Sequence, residues 1–337
     1  TAHAMLSVFN PTSDQGSLTK GSGDTQLAQI YVQADNIPEL KGGNAWMGRR
    51  YYKREDVHIT DFFYWNPQGY GGGIEDYDIG GLKLSYALLR KDTPNSKDAA
   101  SRHDIQLRGI GLNPNGSLEL GASIVRADSQ VPGRHNGWAF TVQHRQTKLF
   151  GDGWNKLALQ FGVGPGIGLG STGDLTNGSD VRRVRLVEGI YAQLTPKLGG
   201  MLTAVYQKDR SDSAPDQVWT SLGGRVTYGW TEHIKLQAEL GHDRVKPSGG
   251  DARSLTKFTI APTLAAAPGF WSRPELRLFY TYARWNDAAR TAADANVAAA
   301  LAAGNTPDFA IASLSSSGVF GGKTHGSTVG LQVEAWW

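Results

Sequence analysis

Apolar and polar residues alternate in segments of about ten along most of this chain, and that period limits what it can fold into. Leu82, Leu84, Tyr86 and Leu88 share one phase, while Lys83, Ser85 and Ala87 hold the other. Leu118, Leu120, Ala122 and Ile124 oppose Glu119, Gly121 and Ser123, and Leu157, Leu159, Phe161 and Val163 oppose Lys156, Ala158 and Gln160. The same division sets Ile234, Leu236, Ala238 and Leu240 against Lys235, Gln237 and Glu239, and Leu276, Leu278, Tyr280 and Tyr282 against Arg277 and Thr281. A tilted strand needs about ten residues to cross a bilayer, so these segments have the length of membrane strands. With mean hydropathy of −0.37 and no apolar run near eighteen residues, a membrane-spanning helix is excluded, but a half-apolar barrel is not.

Soluble antiparallel sheets also alternate, so the connections decide. Short turns at 113–116, 151–153, 195–199 and 231–233 alternate with longer polar loops around 91–102, 127–136, 171–182, 209–216 and 243–251. Short turns at one rim and long loops at the other are the outer-membrane pattern. About fifteen strands are expected by this count. The 43 Gly, ten Trp and twelve Tyr suit tight turns and aromatic girdles. The 34 Lys and Arg nearly balance 31 Asp and Glu, a net charge of +3 that points to no nucleic-acid partner. With no Cys, and with His58 isolated from any metal-ligand spacing, no cofactor and no metal are expected. No signal peptide is visible.

Two stretches break the pattern. Gly recurs at every second position from Gly162 to Gly170, opposite Val163, Ile167 and Leu169, which reads as a strand whose polar face is nearly bare. Ala-rich 287–304, followed by a Ser/Gly-rich stretch to Gly326, is the longest connection and reads either as a short helix or as a loop.

At the C-terminal end, Val329, Leu331, Val333, Ala335 and Trp337 share the apolar phase, and Thr328, Gly330, Gln332, Glu334 and Trp336 the polar one. Trp337 is therefore expected against lipid and Trp336 in the lumen. A chain ending on an aromatic closing strand resembles a bacterial outer-membrane protein. The segment Trp46-Met-Gly-Arg-Arg-Tyr-Tyr-Lys-Arg-Glu-Asp-Val-His-Ile-Thr-Asp-Phe-Phe-Tyr-Trp65, with Gly71-Gly-Gly-Ile-Glu-Asp-Tyr-Asp78, resembles the maltoporin family of sugar porins. So do Gly153-Trp-Asn-Lys156, Trp271-Ser-Arg-Pro274 and Val333-Glu-Ala-Trp-Trp337, in the family's order.

The resemblance implies an all-β, eighteen-stranded transmembrane antiparallel barrel in the bacterial outer membrane, assembled as a homotrimer. It implies one porin domain over residues 1–337, with an inward-folded constriction loop at about 55–77. Thr1 to Phe9 resembles the family's third or fourth strand, so the opening strands are expected to be absent and the strand of Trp337 to lack its neighbour. The implied activity is facilitated diffusion of maltose, maltodextrins or related oligosaccharides along a greasy slide of aromatic residues beside an ionic track.

Sugars carry hydroxyls at their edges and apolar C–H faces, so a path for them needs flat rings beside charged hydrogen-bonding groups. By resemblance, Arg54, Asp56 and Asp61 fall on the ionic track at the constriction. Phe63 stands where maltoporins carry a Tyr, and a Phe there resembles the sucrose-porin branch. Trp154, Trp271 and Trp336 match slide positions. Strand phase agrees: Trp154 goes with Lys156 and Gln160, Trp271 with Arg273 and Glu275, and Trp336 with Gln332 and Glu334. Residues 10–26, matching a loop that reaches a neighbouring subunit in the family, contain no aromatic.

Competing readings are weaker. A glycosidase using Asp56 and Asp61 would need two carboxylates that five residues place on opposite faces of an extended strand. Gly170-Ser-Thr-Gly173 misses nucleophile-elbow spacing. A general diffusion porin has no use for an inward-facing Trp trio. No enzyme activity is expected.

Overall fold

The computed structural model describes residues 1–9, 24–90 and 99–335. Sixteen strands form one antiparallel sheet among these residues: β1 Ala2–Phe9, β2 Asp24–Ile37, β3 Gly43–Tyr51, β6 Gln68–Ile79, β7 Leu82–Arg90, β8 Ala100–Asn113, β9 Gly116–Ala127, β10 Gly137–Leu149, β11 Gly153–Val163, β12 Arg182–Thr195, β13 Leu198–Arg210, β14 Gln217–Gly229, β15 Ile234–Pro247, β16 Arg253–Ala265, β17 Glu275–Trp285 and β18 His325–Glu334. They pair in chain order. The short strands β4 Glu55–Val57 and β5 Phe62–Trp65, inserted between β3 and β6, form a separate two-stranded sheet. The sixteen strands of the main sheet are one more than the alternation count and two fewer than the eighteen implied by the resemblance.

The sheet is inverted relative to a soluble protein. Gln106, Gln143 and Gln160 are wholly buried, as are Ser85, Asp104 and Lys235, while Leu157, Leu159, Leu236 and Leu278 are exposed on the opposite phase. Leu331 and Val333 of β18 are 71% and 73% exposed. The polar phase of β18 instead bonds its neighbour, Arg277 donating to Gln332 at 3.1 Å. The segments at 118–124, 157–163, 234–240 and 276–282 divide into the two faces expected of them. Burying the amides and charges while leaving the leucines bare is stable only where hydrocarbon covers the outer face.

Connections alternate in length as expected, with two exceptions: the expected longer loop around 243–251 is mostly strand, since β15 runs to Pro247 and leaves only 248–252 before β16, and a second lies at β16–β17. Residues 80–81, 114–115, 150–152, 196–197 and 230–233 are tight turns, whereas 128–136, 164–181, 211–216 and 286–324 are longer. The β16–β17 connection, 266–274, lies on the short-turn side yet is extended. Residues 286–324 contain helix α1, Asp287–Ala302, capped by the Asn286 side chain, which accepts from Ala289 N–H at 3.0 Å. They also contain the single turn α2, Phe309–Ala312.

The glycine-rich stretch is not a strand throughout. β11 ends at Val163, and Gly164–Gly168 forms a 3-10 turn closed by Leu169 in the left-handed region, wholly buried. Alternate glycines serve close approach here: a Cβ on Gly166 would lie 1.9 Å from the Trp138 carbonyl oxygen, and one on Gly170 2.8 Å from the Trp65 ring.

Contacts divide the chain into two compact units, one of 1–145, 158–184 and 210–212, the other of 146–157, 185–209 and 213–337. In the second, one carboxylate breaks the outward phase. Glu188 lies between Leu186 and Ile190 on β12, and the Asn155 side-chain amide donates to it. An acid facing hydrocarbon at mid-strand costs stability even when hydrogen-bonded. Glu188→Leu should raise the unfolding free energy in lipid by about 1 kcal/mol, measured by urea titration of the protein refolded into vesicles.

Candidate functional site

In the first unit, residues 52–67 leave the main sheet and fold onto the polar face of β8, β9 and β10. The turn between β4 and β5 is a single 3-10 turn, His58–Thr60, ended by Asp61 at φ 49°, a left-handed position that Asp tolerates. Residues 68–77, the later part of the expected loop range, belong to β6.

Buried charge holds the loop. Glu55, 5% exposed, accepts Arg145 Nη2 at 2.5 Å and Arg108 Nη1 at 3.1 Å. Glu119 joins them, 2.9 Å from Arg145 Nε and 3.6 Å from Arg108 Nη1. Two carboxylates and two guanidinium groups thus neutralise each other, the condition under which buried charge is tolerated. Tyr64 donates to Gln143 at 2.6 Å, and Gln143 to Glu119 at 2.7 Å. Burial pushes the Tyr64 phenol well above its ordinary value, so it remains a donor. Trp65 lies under Arg108, its ring centroid 5.3 Å from the guanidinium, and against Gly121, where any Cβ would lie 2.1 Å from the ring.

The outer side of the loop carries the residues expected at the constriction. The guanidinium of Arg54, exposed, lies 4.3 Å from the Tyr51 ring and 4.2 Å from the Phe63 ring. Asp56 is half-buried and Asp61 exposed, and neither is ion-paired with Arg54 among the described residues. The structure therefore brings Arg54 and Phe63 together.

The second unit contains an aromatic cluster. Tyr191 of β12 is its centre, 6.1 Å from Trp154, 5.3 Å from Trp271 and 5.4 Å from Phe270 between ring centroids. Phe270 and Trp271 meet edge to face at 4.9 Å, and the Lys156 ammonium lies 4.9 Å from the Trp154 ring. Trp154 projects as its strand phase requires. Trp271 lies in the 266–274 connection rather than in β17, so strand phase does not orient it. The fold of that connection does, with Gln193 Oε1 accepting the Phe270 N–H at 3.0 Å. Trp336 and Trp337 lie outside the described residues, as do 10–23 and 91–98.

Beside the cluster is a charged platform. Glu275 accepts Lys235 at 2.8 Å, Arg273 at 3.2 Å and Arg277; Arg273 and Arg277 also reach Glu334 at 2.9 Å and 2.5 Å. Next to it lies a cavity of about 220 Å³ lined by Arg225, Gln237, Glu239, Arg277, Phe279 and Gln332, among others. Flat rings and dense donors and acceptors on one polar face are what an oligosaccharide requires.

The LamB porin family model matches residues 1–337. This chain belongs to that family. Family membership, with the inverted sheet, makes it a bacterial outer-membrane β-barrel of the sugar-porin type. The family is one of channels, with oligosaccharides as its substrate class.

Sequence reading missed the buried support of this LamB porin's loop. Glu55, Arg108, Glu119 and Arg145 are far apart in sequence, and of the four only Glu119 fell in a segment whose phase was read. Tyr191 shares its phase with Gly189 and Gln193, which would have placed it inside. Replacing Glu55 with Gln should cost about 3 kcal/mol by leaving Arg108 and Arg145 undercompensated, whereas Tyr64→Phe should cost about 1 kcal/mol. Urea unfolding checks both values, and single-channel recordings should show larger, noisier conductance for Glu55→Gln only.

Proposed function

We propose that this LamB porin conducts maltodextrins or related oligosaccharides by facilitated diffusion, as a homotrimer surrounded by outer-membrane lipid. The observation that carries the reading is the cluster of Trp154, Tyr191, Phe270 and Trp271 beside the charged platform of Lys235, Arg273, Glu275 and Arg277. A non-selective pore gains nothing from rings there, while sugar C–H faces stack on them. Trp154, Trp271 and Trp336 are the proposed slide, with Tyr191 added to it. Arg54, Asp56, Asp61 and Phe63 are the proposed constriction, where charged groups exchange hydrogen bonds with hydroxyls as the sugar advances. Weak successive contacts allow release, which conduction requires.

A second reading, a sucrose-type porin, is favoured by one observation. Phe63 offers Arg54 a ring and the sugar no hydroxyl. Liposome swelling with maltodextrins, sucrose and amino acids of similar size separates these readings from each other and from a general diffusion porin, which would show no dependence on sugar type.

Trp154→Ala should weaken sugar block of ion current about fivefold, the equivalent of about 1 kcal/mol of ring contact, while small-ion conductance stays the same or rises. Arg54→Ala and Asp61→Asn should each weaken it by about 1 to 3 kcal/mol. If all three leave block by maltotriose unchanged, the sugar path lies elsewhere. Trp336→Ala should resemble Trp154→Ala, and Trp337→Ala should reduce assembly with sugar block intact; equal effects on sugar block would overturn the phase assigned to that strand.

A further inference from the structure

The outward face of β13–β18 has an uneven distribution of charge. Its positions hold no Asp or Glu among the described residues, although the opposite face of the same strands carries Asp243, Glu239, Glu275 and Glu334. Its cationic residues and histidines are instead Lys208, Arg210, His242, Arg244, Lys246, Arg284 and His325, near the long-loop ends of their strands. Register places them in adjoining rows: Val218 pairs with both Lys208 and Lys246, and Thr256 with both His242 and Arg284, which in turn pairs with His325. His242, Arg244, Arg284 and His325 are exposed.

Directly beneath is a groove of about 530 Å³ in the apolar band. Leu202, Leu222, Leu240 and Phe258 form its walls, Gly224 and Ala238 keep it open, and His242 and Thr256, hydrogen-bonded at 2.8 Å, close its upper end. His242 thus belongs both to the groove and to the basic rows. An apolar channel wide enough for a hydrocarbon chain, ending under a cluster of cations, is complementary to an acylated anion. The cations extend from β15 to β18, three strand spacings or about 14 Å, wider than one phosphate.

We propose that this face binds a phosphorylated glycolipid with two phosphates, from the leaflet that meets the long-loop rim. One acyl chain lies in the Gly224–Ala238 groove, and the phosphates meet Arg244, Arg284 and their neighbours. In bacterial barrels the long loops are extracellular, so this is the outer leaflet.

The test uses the intact chain in neutral detergent, with bound lipid counted by native mass spectrometry. Three probes are offered: a hexaacylated glucosamine disaccharide with two phosphates, the same lipid without phosphate, and phosphatidylglycerol. The diphosphorylated glycolipid should be retained at least fivefold over the other two. Arg244→Glu with Arg284→Glu should abolish that preference, and Ala238→Phe should lower retention at least fivefold, with potassium chloride conductance at the unsubstituted value as the control for folding. Should the charge reversals fail to fold, Arg244→Gln with Arg284→Gln should reduce retention at least threefold. Equal retention of the three lipids overturns the proposal. So does retention indifferent to these substitutions, or disulfide cross-linking between copies through Leu240→Cys, which would make the face a contact between subunits.

Discussion

Hydrocarbon offers no partner to a backbone N–H or C=O, and this chain satisfies its backbone through long neighbouring strands whose side chains then have only two directions to take. All else depends on that division. Because the outer phase must be apolar over most of its height, most charges and amides in the strands go to the other side, where each is close to others; Glu188 and the basic residues near the long-loop ends are departures. The polar face becomes crowded with Gln, Arg and Glu that bind an inserted loop, beside small apolar clusters such as that of Trp46, Tyr52, Ala87 and Leu89.

Two ways of holding irregular backbone follow. The loop carrying Arg54 and Phe63 is fixed by charge, through Glu55, Arg108, Glu119 and Arg145, and by removal of side chains, since Gly121 and Gly170 leave space for Trp65. The connection carrying Phe270 and Trp271 is held by rings and by backbone acceptors, Gly269 O taking a hydrogen bond from Lys235 at 3.0 Å. In both places the side chain offered for chemistry is separate from the groups that hold it. Arg54 is exposed while Glu55 is buried, one residue apart.

The strands were legible because period two is a local property, unaffected by what the strand packs on. The phases of β7, β9, β11, β15, β17 and β18 follow directly from their residues, and Trp154 inherits its direction from them. Phase says nothing once the ladder ends, which is why Trp271 needed the fold of its turn and Gly164–Gly168 looked like more strand. A 3-10 turn and a bare strand face both favour glycine, and only the nearness of Trp138 distinguishes them. The partnership of Glu55 with Arg145, ninety residues on, is set by the strand order and has no local trace. The sequence likewise marks Arg54 as charged without showing that two rings would lie over it.

Burial of the Glu55–Arg108–Glu119–Arg145 quartet bears on the surroundings of a cell. Ionic strength in fresh water, soil and tissue fluid differs many-fold, and exposed ion pairs weaken as it rises, because screening shortens the reach of each charge to about 10 Å at 0.1 M and 3 Å at 1 M. Pairs at 2.5 to 3.1 Å, with both carboxylates buried and the two guanidinium groups only partly exposed, lie inside that distance. The position of the loop is therefore less sensitive to salinity than Arg54 and Asp61 on its exposed side.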